Sequence, residues 1–351
     1  MAMSLEAFLE EWNNPSETLL VHTSGSTGTP KPMLVEKRRM LASARCTNDF
    51  LGLQPGDTAL LCMSLDFIAG KMMVVRALER NLHLASVEPS GHPLAAVTQG
   101  DCPLCEQRSE LHRDCPLCVT LNDQTSLDFA AMVPLQVYNS LQVPTERERL
   151  MQIRHLIIGG GAIDDALADQ LKDFPNAVWS TYGMTETLSH IALRRLSGPD
   201  ASDWYTPFLS VRISLSEEDT LIIDAPEVCP NPLVTNDIAE LSPDYSKFRI
   251  IGRKDNTICS GGLKIQAEEL ERQLRPYMRV PYLVTKRPDE KFGEIVVLLT
   301  EGSTDEACEV CERILPKFHQ PRAYLHVPQI PLTATGKPAR YEAELLARNI
   351  I

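Results

Sequence analysis

The segment that most constrains this chain is a loop, His22–Pro32, which reads His-Thr-Ser-Gly-Ser-Thr-Gly-Thr-Pro-Lys-Pro. It follows a short apolar run, Leu19–Val21, whose composition is typical of a β-strand. Glycines let backbone N–H groups approach an anion closely, hydroxyl side chains add hydrogen-bond donors, and Lys31 supplies a positive charge. Together these features predict a loop that binds a polyphosphate.

Two other interpretations of this loop are weaker. The Walker A loop of P-loop NTPases requires a glycine directly before the lysine and Ser or Thr directly after it. Here Thr29 and Pro30 separate Gly28 from Lys31, and Pro32 follows the lysine, so the pattern is broken. A flexible Ser/Gly linker would have a similar composition. It would explain neither the lysine nor the preceding strand.

Predicted helices and strands alternate along the chain beyond this loop. The patterns predict helices over Leu34–Leu51, Ala69–Arg80 and Leu135–Leu141, and strands over Thr58–Met63, His83–Val87, Phe129–Val133, Ile153–Ile158 and Ala177–Ser180. Strands that alternate with helices indicate a layered α/β domain. We expect this large domain to cover residues 1–254. Residues 255–351 have the length and pattern of a small α+β domain.

Two of the predicted strands end in segments that could contact a nucleotide. Ile153–Ile158 runs into Gly159–Ala162, and Ala177–Ser180 ends in Thr181–Thr187, which reads Thr-Tyr-Gly-Met-Thr-Glu-Thr. Glycines at the end of a strand leave space for a planar ligand against the backbone. In the second segment an aromatic ring can stack on a base, a hydroxyl can donate to a phosphate, and a carboxylate can bind Mg²⁺.

An insertion, residues 101–120, interrupts the alternation of helices and strands. It contains Cys102, Cys105, Cys115 and Cys118 in two identical Cys-Pro-Leu-Cys repeats. Four thiolates in two such pairs can bind Zn²⁺ tetrahedrally, and zinc would fold a short polar insertion that has no core of its own. The alternative is a mobile loop with unrelated thiols, and the sequence leaves both open. Four cysteines argue against a catalytic zinc, because a Cys₄ site leaves no coordination position open for water or substrate.

The charge and the composition limit the partners of the chain. A net charge of −13 at pH 7 argues against nucleic acid or an anionic membrane as the main partner. The sequence contains no apolar run of the length that spans a bilayer, and residues 1–12 lack the basic start of a secretory signal. Ten cysteines without such a signal predict free thiols and a cytoplasmic location. Whether the chain forms a homo-oligomer is left open.

These segments together resemble the motifs of the adenylate-forming superfamily, which includes acyl- and aryl-CoA ligases, luciferases and peptide-synthetase adenylation domains. Thr23–Lys31 resembles its phosphate loop, and Tyr182–Glu186 resembles its Tyr-Gly-x-Thr-Glu motif. Gly252–Asp255 resembles its Gly-Arg-x-Asp hinge, and Pro331–Lys337 resembles its C-terminal Thr-Gly-Lys loop. Within the superfamily the chain is most similar to the o-succinylbenzoate–CoA ligases of menaquinone synthesis.

The resemblance implies a fold and a role for individual residues. The fold would be that of adenylate-forming enzymes, α/β, with a trimmed large N-terminal α/β domain and a small, mobile C-terminal α+β domain. The residues implied to bind ATP or AMP are Thr23, Ser24, Gly25, Ser26, Thr27, Gly28, Gly160, Gly161, Ala162, Tyr182, Gly183, Asp237 and Arg253. The implied catalytic residues are Lys31, Thr185, Glu186 and Lys337, with Glu186 binding Mg²⁺; Asp255 would be the hinge, and Ser260, Gly261 and Gly262 would line the coenzyme A tunnel.

Three features depart from the family pattern. Family members carry a long N-terminal subdomain before the phosphate loop, whereas Thr23 lies near the start of this sequence. The usual Thr-Gly-Asp triplet is Thr235-Asn236-Asp237 here. Asp66 stands near the position where many relatives have a gate histidine. The residues of the acyl pocket therefore cannot be carried over from relatives.

The resemblance implies a ligase that uses ATP, Mg²⁺ and coenzyme A. A carboxylic acid would form an acyl-adenylate with release of pyrophosphate, and the thiol of coenzyme A would then displace AMP. The acid would be o-succinylbenzoate or, alternatively, another aryl or acyl chain. Two other classes are an ATP-hydrolysing phosphate-loop protein, which the broken Walker pattern disfavours, and a non-catalytic nucleotide-binding or zinc-dependent module. Such a module would not need Lys337, Glu186 or Arg253.

The zinc interpretation is tested by metal analysis of the purified protein. If the paired repeats bind a structural zinc, we expect about one Zn²⁺ ion per chain, because four thiolates complete one tetrahedral site. Elemental analysis by mass spectrometry measures this ratio. A zinc content of only a small fraction of one ion per chain would rule the site out.

Overall fold

The computed structural model describes residues 3–22, 32–95, 126–161, 163, 165–333 and 338–349. Contacts divide the chain into two compact units, which are described separately. The first comprises Met1–Ile213, Ile223–Leu233 and Ser242–Phe248, and the second comprises Ser214–Ile222, Val234–Leu241 and Arg249–Ile351. The predicted domain boundary between residues 254 and 255 stays a prediction, because compact units do not identify the parts that move.

The first unit contains the elements up to residue 207. In chain order they are α1 (Leu5–Asn13), β1 (Thr18–His22), β2 (Pro32–Glu36), α2 (Lys37–Leu51), β3 (Thr58–Leu61), α3 (Ile68–Arg80), β4 (His83–Ser86), β5 (Phe129–Met132), α4 (Pro134–Gln142), α5 (Pro144–Gln152), β6 (His155–Ile158), α6 (Asp165–Lys172), β7 (Ala177–Gly183), β8 (His190–Arg195) and β9 (Thr206–Pro207). A 3₁₀ turn, Thr185–Thr187, follows β7. The alternation predicted from the sequence is confirmed in this part of the chain.

A mixed sheet in the order β4-β3-β5-β6-β7-β8-β9 forms the centre of the first unit. The pairs from β4 to β7 are parallel, whereas β8 is antiparallel to both of its neighbours. The chain passes from β3 to β4 on one side and then returns to place β5 on the other side of β3. In open α/β sheets, such a switch point leaves a crevice at the carboxyl ends of the strands, where ligands bind.

The parallel strands are mainly apolar because helices cover them. One core cluster joins side chains of the sheet to side chains of α4, α5 and α6: Leu60, Ala130, Met132, Leu156, Ile158 and Val178 from strands, and Val137, Leu141, Leu150, Leu167 and Leu171 from helices. Continuous apolar strands are expected where a parallel sheet is covered on both faces. Burial of these side chains fixes the sheet and therefore the positions of its carboxyl ends.

One predicted helix begins later than expected. Leu34 and Val35 were predicted to open the helix, but they belong to β2, which pairs with β1 in antiparallel register from Thr18↔Glu36 to His22↔Pro32. Their backbone groups are used by this ladder, so α2 starts only at Lys37. The helix does end where predicted, at Gly52, which has φ +65° and a backbone N–H bonded to the last turn.

Four strands contain residues of both units: β10 (Arg212–Leu215), β11 (Thr220–Asp224), β12 (Leu233–Leu241) and β13 (Phe248–Arg253). They form a separate sheet in the order β10-β11-β12-β13. A 3₁₀ turn, Lys254–Asn256, follows β13.

The second unit is an α+β structure, as predicted. It contains β14 (Thr257–Ser260), β15 (Leu263–Gln266), α7 (Ala267–Leu274), β16 (Tyr282–Asp289), β17 (Gly293–Thr300), α8 (Thr304–Ile314), β18 (Ala323–His326) and α9 (Arg340–Asn349). The sheet order is β15-β14-β17-β16, with β18 parallel to β17. Alternate side chains of β16 and β17 point to opposite faces. Val284, Val296 and Leu298 pack with residues of α7 and α8, whereas Leu283, Val297 and Leu299 pack with Ala343 and Ala347 of α9.

None of the helices that the structure describes is long and apolar enough to cross a membrane.

Candidate nucleotide-binding site

The glycine segment and the Tyr-Gly-Met-Thr-Glu segment lie at the same edge of the central sheet. β6 and β7 are adjacent and parallel, in register from His155↔Ala177 to Ile158↔Ser180. The carboxyl ends of neighbouring parallel strands meet at one edge, so the residues that follow both strands are brought together. Gly159 lies directly against β7, because a Cβ placed on it would be 2.4 Å from Oγ1 of Thr181.

The glycines after β6 differ in their backbone conformation and in the space around them. Gly160 has φ +76°, in the left-handed region that a residue with a side chain enters only with strain. A Cβ on Gly161 would meet Cγ of Pro134 at 3.4 Å, an ordinary contact. These two residues therefore present backbone without side chains, as predicted for a surface on which a base could lie. The third predicted residue, Ala162, lies outside the described residues.

The ring of Tyr182 is held by two other aromatic rings. It packs edge-on against Phe248, with ring centroids 5.0 Å apart, and against Tyr205 at 5.6 Å. Tyr205 and Phe248 stack on each other at 5.5 Å. Aromatic pairs at these distances add stability beyond the area that they bury. The half-buried ring of Tyr182 is therefore rigid, which suits a residue that stacks on a purine.

Gly183 allows the close turn from β7 into β8. It pairs with His190 where the register of the two strands shifts. A Cβ on Gly183 would lie 2.4 Å from Cα of His190 and 2.4 Å from the carbonyl oxygen of Ser189. Both are backbone atoms, so a side chain at this position would force the strands apart.

Thr187 fixes the turn that carries the predicted phosphate and metal ligands. Its buried hydroxyl accepts a hydrogen bond from the N–H of Met184 at 3.0 Å and lies 2.7 Å from the carbonyl oxygen of Ser189. The turn leaves Glu186 exposed and Thr185 partly exposed. An exposed carboxylate beside a hydroxyl at a strand end can accept a Mg²⁺ ion and contact a phosphate.

A buried arginine contacts the same segment, and the sequence analysis did not identify it. Arg76 of α3 is 2% exposed and its Nη2 donates to Oγ of Ser189 at 2.7 Å. Its Nε has no hydrogen-bond partner, and none of the carboxylates that the structure describes forms an ion pair with it. Burial lowers the pKa of Arg76 to about 9, so the guanidinium remains charged at neutral pH.

His190 connects Arg76 to the core of the unit. Its Nδ1 lies 3.3 Å from Oγ of Ser189 and its Nε2 lies 3.0 Å from Oγ1 of Thr47. Burial, together with the nearby charge of Arg76, lowers the pKa of His190 well below its usual value. The imidazole is therefore neutral at pH 7 and does not offset the charge of Arg76. A sequence signal for Arg76 did exist, namely an arginine within the otherwise buried apolar run Met72–Ala77.

The predicted ribose-binding pair lies in the second unit. Nη1 of Arg253 contacts Oδ1 of Asp237 at 3.1 Å, and the N–H of Asp237 donates to Oγ1 of Thr235 at 3.1 Å. Asn236, which departs from the family triplet, donates through Nδ2 to the carboxylate of Asp255, the predicted hinge. The triplet and the hinge are therefore connected by side chains.

The predicted coenzyme A segment is a tight turn between β14 and β15. Ser260 pairs with Leu263, and the two residues between them, Gly261 and Gly262, have φ +58° and φ +87°. Positive φ at both central residues is the requirement of a type I′ hairpin turn. Both glycines are exposed, whereas Ser260 is buried.

Several predicted residues lie outside the part of the chain that the structure describes: Thr23, Ser24, Gly25, Ser26, Thr27, Gly28 and Lys31 of the phosphate loop, Lys337, and the cysteines at 102, 105, 115 and 118. Their flanks are described. His22 and Pro32 pair across the ends of the phosphate loop, and Leu332 and Pro338 form a bridge across the ends of the loop with Lys337. Among the described residues there is no group of three or more His, Cys, Asp or Glu side chains that could hold a metal ion.

Comparison with known proteins agrees with the motifs. A family model described as AMP-binding enzyme matches residues 9–230. The 2-succinylbenzoate–CoA ligase of Listeria monocytogenes serotype 4b is 23% identical over 361 residues, which cover 95% of this chain and 71% of the relative. The corresponding ligase of Salmonella typhimurium is 25% identical over 347 residues, which cover 93% of this chain and 68% of the relative.

Solved structures confirm the predicted fold. The crystal structure of an acyl-CoA synthetase (AMP-forming)/AMP-acid ligase II-like protein from Dyadobacter fermentans superposes with a TM-score of 0.64 and 30% identity, covering 97% of this chain and 92% of that one. The o-succinylbenzoate–CoA synthetase of Bacillus subtilis, in complex with ATP and magnesium, gives a TM-score of 0.66 at 19% identity over 92% of this chain and 69% of that one.

The geometry of Gly183 leads to a stability prediction. Gly183→Ala should destabilise the first unit by about 2–4 kcal/mol, because the new Cβ meets backbone atoms that cannot move aside. Gly161→Ala is the matched control at the same sheet edge, where a Cβ makes only ordinary contacts. Thermal unfolding followed by circular dichroism measures both. Equal unfolding temperatures for the two variants would contradict the close approach at Gly183.

Proposed function

Because the chain belongs to the family of AMP-binding enzymes, we propose that it joins a carboxylic acid to coenzyme A through an acyl-adenylate, and that the acid is o-succinylbenzoate. The observation that supports this most directly is the placement of Gly160, Gly161 and Tyr182–Glu186 at one edge of the parallel sheet. The relatives named 2-succinylbenzoate–CoA ligase, each matched over more than nine-tenths of this chain, support the choice of acid.

In the first half-reaction a carboxylate oxygen attacks the α-phosphorus of ATP and pyrophosphate leaves. Both reactants are anions, so positive charge must offset their repulsion. We assign this role to Lys31 and Lys337, and the hydroxyl of Thr185 would donate to the α-phosphate. The exposed carboxylate of Glu186 fits a Mg²⁺ ion, which would supply further positive charge to the phosphates.

We assign the remaining nucleotide contacts to residues of the family motifs. The backbone of Gly160 and Gly161 and the ring of Tyr182 would enclose the adenine, and the Asp237–Arg253 pair would bind the ribose hydroxyls. The carboxylate of Asp237 is an acceptor for hydroxyl donors, and it is held in place by Arg253 at 3.1 Å. The phosphate loop, Thr23 to Gly28, would bind the β- and γ-phosphates.

In the second half-reaction the sulfur of coenzyme A attacks the acyl carbonyl carbon, AMP leaves and the thiol proton passes to solvent. We propose that the small C-terminal domain, residues 255–351, turns about Asp255 between the two steps. This rotation would withdraw Lys337 and bring the Ser260–Gly262 turn to the acyl-adenylate. The exposed glycine backbone of this turn leaves room for a narrow pantetheine chain.

Arg76 supports the choice of a dicarboxylic acid. The succinyl carboxylate of o-succinylbenzoate must reach ATP. The ring carboxylate then needs a positively charged partner elsewhere in the site. Arg76 is a buried cation without a carboxylate partner among the described residues, and it contacts Ser189, two residues after Thr187. An isolated buried charge is unfavourable unless it is paired. A second substrate carboxylate would supply that partner.

Two alternatives remain distinct from this proposal. Another aryl or acyl acid would use the same two half-reactions, and a non-catalytic nucleotide-binding module would perform neither. Pyrophosphate release with a panel of acids separates all three. Release that depends on an acid identifies a ligase, the preferred acid identifies the substrate, and binding of ATP without release with any acid would indicate a module.

The role of Arg76 is tested with a pair of acids. Arg76→Gln should lower kcat/KM for o-succinylbenzoate about tenfold to a hundredfold, since a hydrogen-bonded charge is worth roughly 1.5–3 kcal/mol. It should change kcat/KM for 4-oxo-4-phenylbutanoate, which lacks the ring carboxylate, by less than about threefold. Arg80→Gln, a control on the same helix, removes a guanidinium that contacts Asp49. A similar loss with both acids would argue against a carboxylate contact.

The roles of the two steps are tested by Lys337→Ala. We expect this variant to lose adenylate formation, because the charge that offsets the repulsion of carboxylate and phosphate is removed. Thioester formation from a supplied acyl-adenylate should be retained, since Lys337 is withdrawn in that step. Pyrophosphate release and thioester formation are measured separately. Equal loss in both half-reactions would refute the division of roles.

A further inference from the structure

A partly buried ion pair connects α7 and α9 in the second unit. Arg340 donates to Glu271 through Nη1 to Oε1 at 2.8 Å and through Nη2 to Oε2 at 2.7 Å. The N–H of Val284 donates to the same carboxylate at 2.8 Å, and Nη1 of Arg340 also donates to the carbonyl oxygen of Val284 at 2.9 Å. The side chains of Arg340 and Glu271 are only 24% and 13% exposed. This two-point contact fixes both the position and the orientation of the guanidinium.

The pair lies at the base of the loop that contains Lys337. Leu332 and Pro338 form an antiparallel bridge, and the N–H of Ala339 donates to the carbonyl oxygen of Pro331 at 2.9 Å. Arg340 is the next residue and the first of α9. The position of Pro338, the covalent neighbour of Lys337, is therefore set by the bridge on one side and by the Arg340–Glu271 contact on the other.

The same helix, α7, also holds the hinge segment. Glu268, one turn before Glu271, accepts a hydrogen bond from Nδ2 of Asn256. A Cβ on Gly252 would lie 2.6 Å from Oε2 of Glu268, so the chain before the hinge passes directly over this carboxylate. A cavity in the second unit is lined by Asp255, Asn256, Val284, Thr285, Lys286 and Arg340, among others. The predicted hinge residue Asp255 and Arg340 thus line the same cavity.

We propose that Glu271 and Arg340 are positioning residues that orient Lys337 for adenylate formation by fixing the base of its loop to the helix that holds the hinge. This inference rests on the proposed function, because it assigns Lys337 to the first half-reaction. Glu271 and Arg340 contact each other across 69 residues of sequence and need not contact a substrate. A buried ion pair contributes little net stability compared with apolar residues of similar volume, but it specifies one arrangement of the groups it joins.

The activity test compares two carboxylates on α7. Glu271→Gln keeps the shape of the side chain but removes its charge, whereas Glu269→Gln is the control, since Glu269 pairs with Arg272 near the surface. In Glu271→Gln we expect adenylate formation to fall about a hundredfold, the cost of a misplacement of roughly 1 Å. Thioester formation from a supplied acyl-adenylate should change by less than about threefold, because Lys337 has no role in that step.

A second variant and a second measurement separate positioning from folding. Arg340→Lys keeps the positive charge but cannot make the two-point contact, and it should show the same split between the half-reactions. Hydrogen exchange at the amide of Ala339 should be faster by about tenfold in Glu271→Gln and unchanged in Glu269→Gln, because the base of the loop opens locally.

The possible results decide between the two proposals. Loss of both half-reactions to the same extent, or unchanged exchange at Ala339 in Glu271→Gln, would overturn the positioning role. If the unmodified protein released no pyrophosphate with any acid, the proposed function would fail. The exchange measurement would still test whether Glu271 anchors the loop, since it requires no substrate.

Discussion

The parallel pairing of β6 with β7 is the constraint on which the candidate site depends. It brings two segments that are separated along the chain to one edge of the sheet, and it works only if the backbones approach closely. Gly159 lies against Thr181, and Gly183 lies against the backbone of His190. At both places the sheet leaves no space for a side chain. Strand packing alone therefore requires glycine at positions 159 and 183.

The residues proposed to bind the nucleotide are held in place by contacts at the sheet edge. Tyr182 is held by Phe248 and Tyr205, and the turn after it is held by the hydroxyl of Thr187. These contacts leave little freedom to the residues proposed to bind the nucleotide. Preorganised groups stabilise developing charge without the cost of reorganisation. In the function that we propose, the groups that change between the two half-reactions belong to residues 255–351.

Local patterns predicted the parts of the structure that depend on local interactions. The parallel strands follow from apolar runs, and the Tyr182–Glu186 segment was placed by the strand that precedes it. The start of α2 was predicted wrongly, because the residues from Met33 to Val35 pair with β1. Helical periodicity does not reveal such a pairing.

Contacts between distant residues could not be predicted. An arginine in an apolar run marks Arg76 in the sequence, but the run does not reveal its contact with Ser189, 113 residues away. The hydrogen bond from Asn236 to Asp255 likewise depends on β12 and β13 lying side by side. The family triplet identified Asp237 in the sequence. It did not indicate that its neighbour Asn236 contacts Asp255, because that contact depends on the sheet.

Arg340 and Arg76 show how the same side chain serves different purposes. In the second unit, Arg340 is matched by both oxygens of Glu271, so its charge is neutralised and its position is fixed. In the first unit, Arg76 contacts only neutral groups among the residues that the structure describes, and burial keeps the neighbouring imidazole of His190 neutral. A buried charge without a counter-charge is costly to the folded protein. A bound anion would remove this cost. We therefore propose that a substrate carboxylate binds Arg76, whereas Arg340 already has its counter-charge in Glu271.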